Sequence, residues 1–146
     1  MPYKNIEINR ASYSSQHTAK DSQFYKGFST VNPRSQGSKL YDFELIKQDI
    51  LNHFNTRKGQ RVMNPEFGTI IWDLIMEPLT PQIKDLLTED IKTIATFDPR
   101  VYPSQIDINE YDQGYLIELT LVLKNTNQST SMKLAFDQKV GLRVQQ

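Results

Sequence analysis

Apolar residues along this chain keep different spacings in different stretches, and each spacing predicts a different kind of element. From Asp42 to Asn55 they recur every three or four positions, at Phe43, Ile46, Ile50, Leu51 and Phe54. That period puts them on one face of an α-helix, with Lys47, Gln48, Asp49 and Asn52 on the other. Asp42 stands where a side chain can cap the orphan amides of the first turn. A second helical stripe runs through Ile83, Leu86, Leu87, Ile91, Ile94 and Ala95 to Phe97. Thr80 suits its cap, and Pro81 suits the first helical position, where no amide hydrogen is needed. Asp98-Pro99-Arg100 stops it, because proline disfavours helical backbone in the residue before it.

Beyond Arg100 the period falls to two. Ile106 and Ile108 alternate with polar neighbours, Tyr111-Asp112-Gln113-Gly114 reads as a hairpin turn, and Ile117, Leu119 and Leu121 answer on one face. After a turn at Asn125 to Ser129, Thr130, Met132, Leu134 and Phe136 supply another alternating strand. Between the helices the punctuation is dense. Asn55, Thr56 and Gly59 end the first helix, Gln60 to Met63 is long enough for a short strand, and Asn64-Pro65 turns the chain. Gly68 releases it into Thr69 to Ile75, where Ile71, Trp72 and Ile75 can share a helical face.

These elements predict an α+β fold: two main helices packed on a three-stranded antiparallel sheet, with a short β-turn segment between the helices and an extended N-terminal arm. The arm is residues 1–37, and residues 38–146 form a single α+β domain. The arm lacks either period, although Ile6 and Ile8 alternate briefly and Phe24, Tyr25 and Phe28 form an aromatic knot. It reads either as a flexible tail or as an arm laid on a neighbour; Tyr3 and Tyr13 make it aromatic for a solvated tail. The outer strand Thr130–Phe136 leaves unpaired backbone groups to which another chain's strand can add, unless Lys133 and Lys139 blunt that edge.

Composition narrows the function more than the fold. Seventeen basic and seventeen acidic residues leave a formal net charge of zero, so no bulk field draws in nucleic acid or an anionic membrane. There is no cysteine among the 146 residues, which excludes disulfides, thiolate zinc sites and cysteine nucleophiles. The start carries no apolar h-region and no run is long enough to span a bilayer, so a soluble protein made in a cytosol is expected. Only 38% of residues are hydrophobic, which suits a chain partly ordered by its partners.

Candidate chemistry is sparse. Glu66, Asp73 and Glu77 could be offered as a glycosidase pair, but two carboxylates do acid–base work on a sugar only when held across a cleft. Glu66 lies in a predicted turn, and Asp73 and Glu77 lie four apart on an exposed helical face. His17 and His53 sit in unrelated contexts and cannot make a metal set. His53, near the end of its helix, reads as a C-terminal cation or a solvated ring. No serine sits in a G-x-S-x-G elbow and no glycine-rich phosphate loop is present. No enzyme and no cofactor are expected. Arg57, Lys58 and Arg61 form a tight basic cluster beside a turn, suited to an acidic protein surface or to simple solvation.

Three blocks carry a family resemblance: Thr56-Arg57-Lys58-Gly59-Gln60-Arg61, Asn64-Pro65-Glu66-Phe67-Gly68, and, after a helix, Asp98-Pro99-Arg100. Between about Asp42 and Leu123 the chain resembles the baseplate wedge family of contractile-tailed phages. That family includes the sheath-initiating wedge protein of T-even phages and the related wedge component of type VI secretion systems. The resemblance implies a virion protein of the tail baseplate, assembled in the host cytoplasm. Such a protein binds the wedge's central helical bundle and presents strands that seed the first ring of tail sheath protein. The tail tube is a candidate contact of the N-terminal arm. Neither nucleic acid nor membrane is an expected partner. The partner contact falls on Arg57, Arg61, Glu66, Phe67, Asp98, Pro99 and Arg100. The family usually carries Glu-Pro-Arg before the sheet, and here Asp98 shortens that carboxylate by one methylene. Arg100 keeps a fork able to bind a carboxylate bidentately. Some relatives carry a lysozyme-like label, so the alternative function is a lysozyme-like glycoside hydrolase of the baseplate.

Overall fold

Both apolar stripes form the helices their periods predict. The computed structural model describes residues 25–29, 39–111 and 113–145; the readings of Tyr3, Ile6, Ile8, Tyr13, His17, Phe24 and Asp112 lie outside these residues. In chain order the elements are β1 (Lys26–Phe28), β2 (Lys39–Tyr41), α1 (Asp42–Asn55), α2 (Ile71–Leu74), α3 (Pro81–Phe97), β3 (Val101–Tyr111), β4 (Gly114–Leu123), β5 (Ser129–Asp137) and β6 (Gly141–Gln145). Ile46, Ile50 and Phe54 of α1 and Leu87, Ile91, Ile94 and Ala95 of α3 are buried. Thr80 caps α3 as expected, its hydroxyl oxygen accepting the Ile83 amide at 3.3 Å.

Two features of the helices depart from the sequence reading. Asp42 is not a cap: Tyr41 holds that position, and no side chain caps α1. Asp42 instead sits at φ 42° and faces Tyr25, whose amide donates to Asp42 Oδ1 at 2.9 Å while the Asp42 amide donates back to the Tyr25 carbonyl at 3.1 Å. A long-range partner has taken the carboxylate that a local cap would have used. Leu86 is 52% exposed and Phe97 61% exposed, because the buried face of α3 centres on Leu87 and Ile91.

The main sheet has four strands, not three, in the antiparallel order β3-β4-β5-β6. The fourth strand, β6, is short and largely exposed, so its residues never needed the alternation that marks a half-buried strand. The predicted outer strand therefore lies inside the sheet: β6 covers β5 from Lys133 to Asp137. Alternate residues align in rows across the strands. Ile108, Ile117 and Leu134 form one row, and Ile106, Leu119 and Met132 the next. Phe136 meets Phe54 edge-on at 5.7 Å and Trp72 at 5.4 Å, so aromatic rings from α1, α2 and β5 close the core. A second, two-stranded sheet pairs β1 with β2.

The stretch from 56 to 70 is a brace without the predicted strand at Gln60 to Met63; that segment turns instead. A single parallel bridge joins Arg57 to Thr69, with the Lys58 amide on the Thr69 carbonyl at 3.1 Å and the Thr69 amide on the Thr56 carbonyl at 2.9 Å. Gly68 has φ 120°, and a Cβ there would stand 2.7 Å from the Thr56 carbonyl oxygen; only glycine permits both the angle and the approach. The helix expected over Thr69 to Ile75 shrinks to the single turn of α2. Thr69 and Ile70 are diverted to Asp90: the Thr69 hydroxyl donates to Asp90 Oδ2 at 2.7 Å and the Ile70 amide donates to the same oxygen at 3.1 Å. Trp72 Nε1 donates to the Phe54 carbonyl at 2.7 Å, and the Tyr115 hydroxyl lies 2.6 and 2.7 Å from the Leu74 and Glu77 carbonyl oxygens. Brace and α2 are thus tied to both helices and to the sheet.

Asp90→Ala leaves the buried Thr69 hydroxyl and Ile70 amide without their acceptor. We expect about 3 kcal/mol of lost stability, measured as a lower urea midpoint with an unchanged denaturant slope. Thr69→Val on that background is expected to cost much less than Thr69→Val alone, since the shared bond is already gone.

Candidate partner-binding groove

The C-terminal half of α1, the brace and the C-terminal end of α3 enclose a groove of about 520 Å³. Its floor is aromatic. The His53 ring stacks on Phe67 with centroids 3.9 Å apart, and Phe97 meets both edge-on, at 5.3 Å from His53 and 5.9 Å from Phe67. The Arg61 guanidinium carbon lies 4.2 Å from the Phe67 centroid; at these distances His53 and Arg61 must take opposite faces of the ring. His53 is buried at 6% exposure, which corrects its reading as a solvated or cationic ring. Desolvation lowers its pKa below the ordinary 6.5, against the pull of Asp90 and a hydrogen bond to the Gly68 backbone, so the ring is neutral at neutral pH.

At the other end of the groove Asp98, Pro99 and Arg100 turn the chain from α3 into β3. Arg100 Nε donates to both Asp98 oxygens, at 2.8 and 3.1 Å, and Nη2 donates to Asp98 Oδ2 and, at 2.7 Å, to Asp49 Oδ2. The Arg100 amide also donates to Asp98 Oδ1 at 3.0 Å. Burial alone would raise the Asp98 pKa, but these bonds outweigh it and hold the carboxyl below its ordinary 3.8. The Arg100 guanidinium is correspondingly held in its charged form, chiefly by its bond to Asp98. Its fork is therefore engaged within the chain. The Tyr25 ring lies 5.4 Å from the guanidinium, and the Tyr25 hydroxyl accepts from Asn125 Nδ2 at 2.9 Å.

Of the residues expected to meet a partner, Arg61, Phe67, Asp98, Pro99 and Arg100 all line this groove. Arg57 and Glu66 do not. Arg57 turns to Asp73 at 3.5 Å, and Glu66 faces Lys58 at 4.0 Å. Asp49, Ile50, Asn52, His53, Ile94 and Phe97 complete the lining, none of them among the residues expected to meet a partner. His53 does fall on the apolar spacing of α1, seven positions after Ile46, just as Asp90 falls on that of α3. A polar residue on a buried stripe was the available signal.

The three carboxylates considered for glycoside hydrolysis stand apart from the groove. Asp73 pairs with Arg57, Glu66 is solvated, and Glu77 borders a separate hollow beside Glu110. Glu110 Oε1 there accepts the Leu79 amide at 2.8 Å. Among the described residues no cluster of His, Asp and Glu could hold a metal ion.

Fold and groove together define a small α+β domain with one mixed aromatic and cationic recess. Residues 42–128 match the family described as baseplate wedge protein gp25. The chain belongs to this family, which places it among structural proteins of the phage tail baseplate in the virion. It is 32% identical over 82 residues to baseplate wedge protein gp25 of Enterobacteria phage T4, a stretch covering 55% of this chain and 62% of that protein. It is 27% identical over 103 residues to baseplate protein W of Escherichia phage P2, covering 69% of this chain and 90% of that one. A chain of the postcontracted pyocin R2 baseplate shares its fold, with TM-score 0.56, 20% identity, and coverage of 69% of this chain and 100% of that one. A chain of the anti-feeding prophage baseplate does so at TM-score 0.55 and 23% identity, over 73% of this chain and 86% of that one. A Geobacter sulfurreducens protein provisionally labelled a tail lysozyme aligns at TM-score 0.56 and 22% identity, over 64% and 88%. These structural likenesses speak to the fold alone.

The two depressed pKa values set a pH profile. The unfolded chain takes up a proton at His53 below pH 6.5 that the folded ring refuses, so stability falls as pH drops through that region. The Asp98 contribution is complete above pH 3.8 and is lost only as pH falls through its lower folded value. Urea unfolding across this range is expected to show a first decline below pH 6.5 that His53→Phe removes, and a second in acid that Asp98→Asn removes.

Proposed function

We propose that this chain is a non-catalytic joint between the baseplate wedge and the contractile sheath. Its groove binds the core helical bundle formed by other wedge proteins, and its open sheet edge pairs with strands of the tail sheath protein to seed the first ring. Residues 38–146 do this work, while the N-terminal arm, residues 1–37, is offered to the tail tube. One observation carries the wedge contact: Arg61 and Phe67 on the brace and Asp98, Pro99 and Arg100 beyond α3 converge on a single groove. Arg57 and Glu66, off the groove, belong to the rim of that contact.

The edge assignment moves from β5 to β6 and the part of β5 that β6 leaves uncovered. Among the described residues β6 reaches only as far as Lys133, so Ser129–Met132 runs on beyond it. The opposite edge strand, β3, carries Pro103 and an irregularity between Pro103 and Gln105, both of which discourage strand addition. Lys133 does not guard the β5 side, being tied across the sheet to Glu118 at 2.8 Å. Shape and backbone pairing thus supply the affinity, and acid–base chemistry has no part in it.

Tagged protein co-expressed with the wedge subunits and sheath protein of its own phage tests both contacts. Wild type is expected to recover the wedge subunits, and Arg100→Ala to recover fewer as the corner loses its clamp. Successive amides on a strand point to opposite sides, so one of Arg143→Pro and Val144→Pro removes an outward donor. That variant is expected to keep wedge binding and lose sheath nucleation. Purified protein should leave a cell-wall suspension turbid; clearing that Glu66→Gln abolishes would replace this reading with glycoside hydrolysis.

A further inference from the structure

We infer that the partner-facing cation of the groove is Arg61, with Arg100 serving as its internal clamp, and that the occupant is an amphipathic helix. That helix presents a carboxylate beside a large apolar side chain. The inference rests on the wedge-binding reading and specifies the chemistry of its partner.

Arg100 has little left to offer a partner. Its Nε and Nη2 are committed to Asp98 and Asp49, and a partner's carboxylate would have to strand the buried Asp98 to replace it. An unpaired buried carboxylate is strongly disfavoured. Arg61 is in the opposite state. Its guanidinium covers the Phe67 ring, and among the described residues no carboxylate lies within ion-pair distance of it. Stacking on a ring uses the face of a guanidinium and leaves the donors on its rim for a carboxylate. Arg57 and Lys58, on the same brace and held only by pairs of 3.5 to 4.0 Å, add to the positive potential there.

The floor asks for the apolar half of the partner. Phe97 is 61% exposed at the groove, and outside its lining Val62 and Met63, which follow Arg61 in the chain, are each 93% exposed. His53 in the floor is neutral, so the aromatic patch it forms with Phe67 and Phe97 carries no charge. The walls are side chains of two helices and a turn-bound brace, in which the Lys58, Gly59, Gln60, Asn64, Phe67 and Thr69 amides are hydrogen-bonded internally. Among the described residues no strand lines the groove, the brace pairing only at the isolated Arg57–Thr69 bridge, whereas a helix docks through side chains one turn apart.

The test is recovery of the co-expressed wedge subunits of the same phage by the tagged full-length chain. Arg61→Glu is expected to cut recovery about tenfold at an unchanged melting temperature, and a carboxylate-to-lysine change on the contacting subunit to restore it. Phe97→Ala is expected to weaken recovery with only a small loss of stability, since its ring is 61% exposed and meets His53 and Phe67 only edge-on. Lys92→Glu, an exposed charge reversal on α3 outside the groove, is expected to bind as wild type. Arg100→Lys is expected to lower the melting temperature, which separates clamp from contact. Wild-type recovery by a folded Arg61→Glu variant overturns the inference while sparing the wedge-binding reading, as does an equal loss in Lys92→Glu. Failure of the wild type itself to recover wedge subunits removes that reading and this inference together.

Discussion

One buried carboxylate governs the path of the chain between its two long helices. Asp90 is 8% exposed and takes two donors from the segment entering α2 on one oxygen, with Lys58 at 3.9 Å from the other. A carboxylate in that position is tolerable only with its acceptor sites filled. The residues that fill them, Thr69 and Ile70, are thereby held against α3. That contact anchors the C-terminal end of the brace, in which Gly68 passes against the Thr56 carbonyl and Phe67 stacks on the His53 ring.

The same economy appears at the other end of the groove. Asp98 and Arg100 flank a proline and satisfy each other, with Asp49 of α1 completing the set. The corner from α3 into β3 is thus closed by charge-assisted bonds. Tyr25 reaches this corner from the ribbon of β1 and β2. Tyr25 of the N-terminal arm therefore packs beside the groove's Arg100.

The sheet supplies the platform and leaves its two edges unlike. Buried rows across β3, β4 and β5 seat the helices, while β6 contributes backbone pairing and little burial. A strand of that kind extends the hydrogen-bonded ladder without enlarging the core. Its outer rim, and the reach of β5 past it, differ from the rim of β3 with its proline and irregular register. This asymmetry gives the domain one side suited to strand addition.

What the sequence alone determined follows from periodicity. Stripes at three and four positions, with Thr80-Pro81 and Asp98-Pro99 as punctuation, define α1 and α3, and alternation defines β3, β4 and β5, because burial on one face leaves that trace in composition. The family resemblance, rather than periodicity, marked Arg57, Arg61, Glu66, Phe67 and the Asp98–Arg100 corner as a candidate site, and the groove gathers all of these but Arg57 and Glu66. Tertiary structure alone decided what each polar group on a buried stripe would meet. His53 and Asp90 sit on apolar spacings, yet only the folded brace turns the first into a neutral stacked ring and the second into a pin. It likewise moved Asp42 from cap to clasp and added β6, whose exposed residues left no alternation to read. Arg100, which reads as an outward fork, is closed by a neighbour two residues away and another fifty-one residues away. Periodicity reports which residues are buried, whereas the partner of a buried or half-buried charge depends on distances between segments that only the packed chain sets.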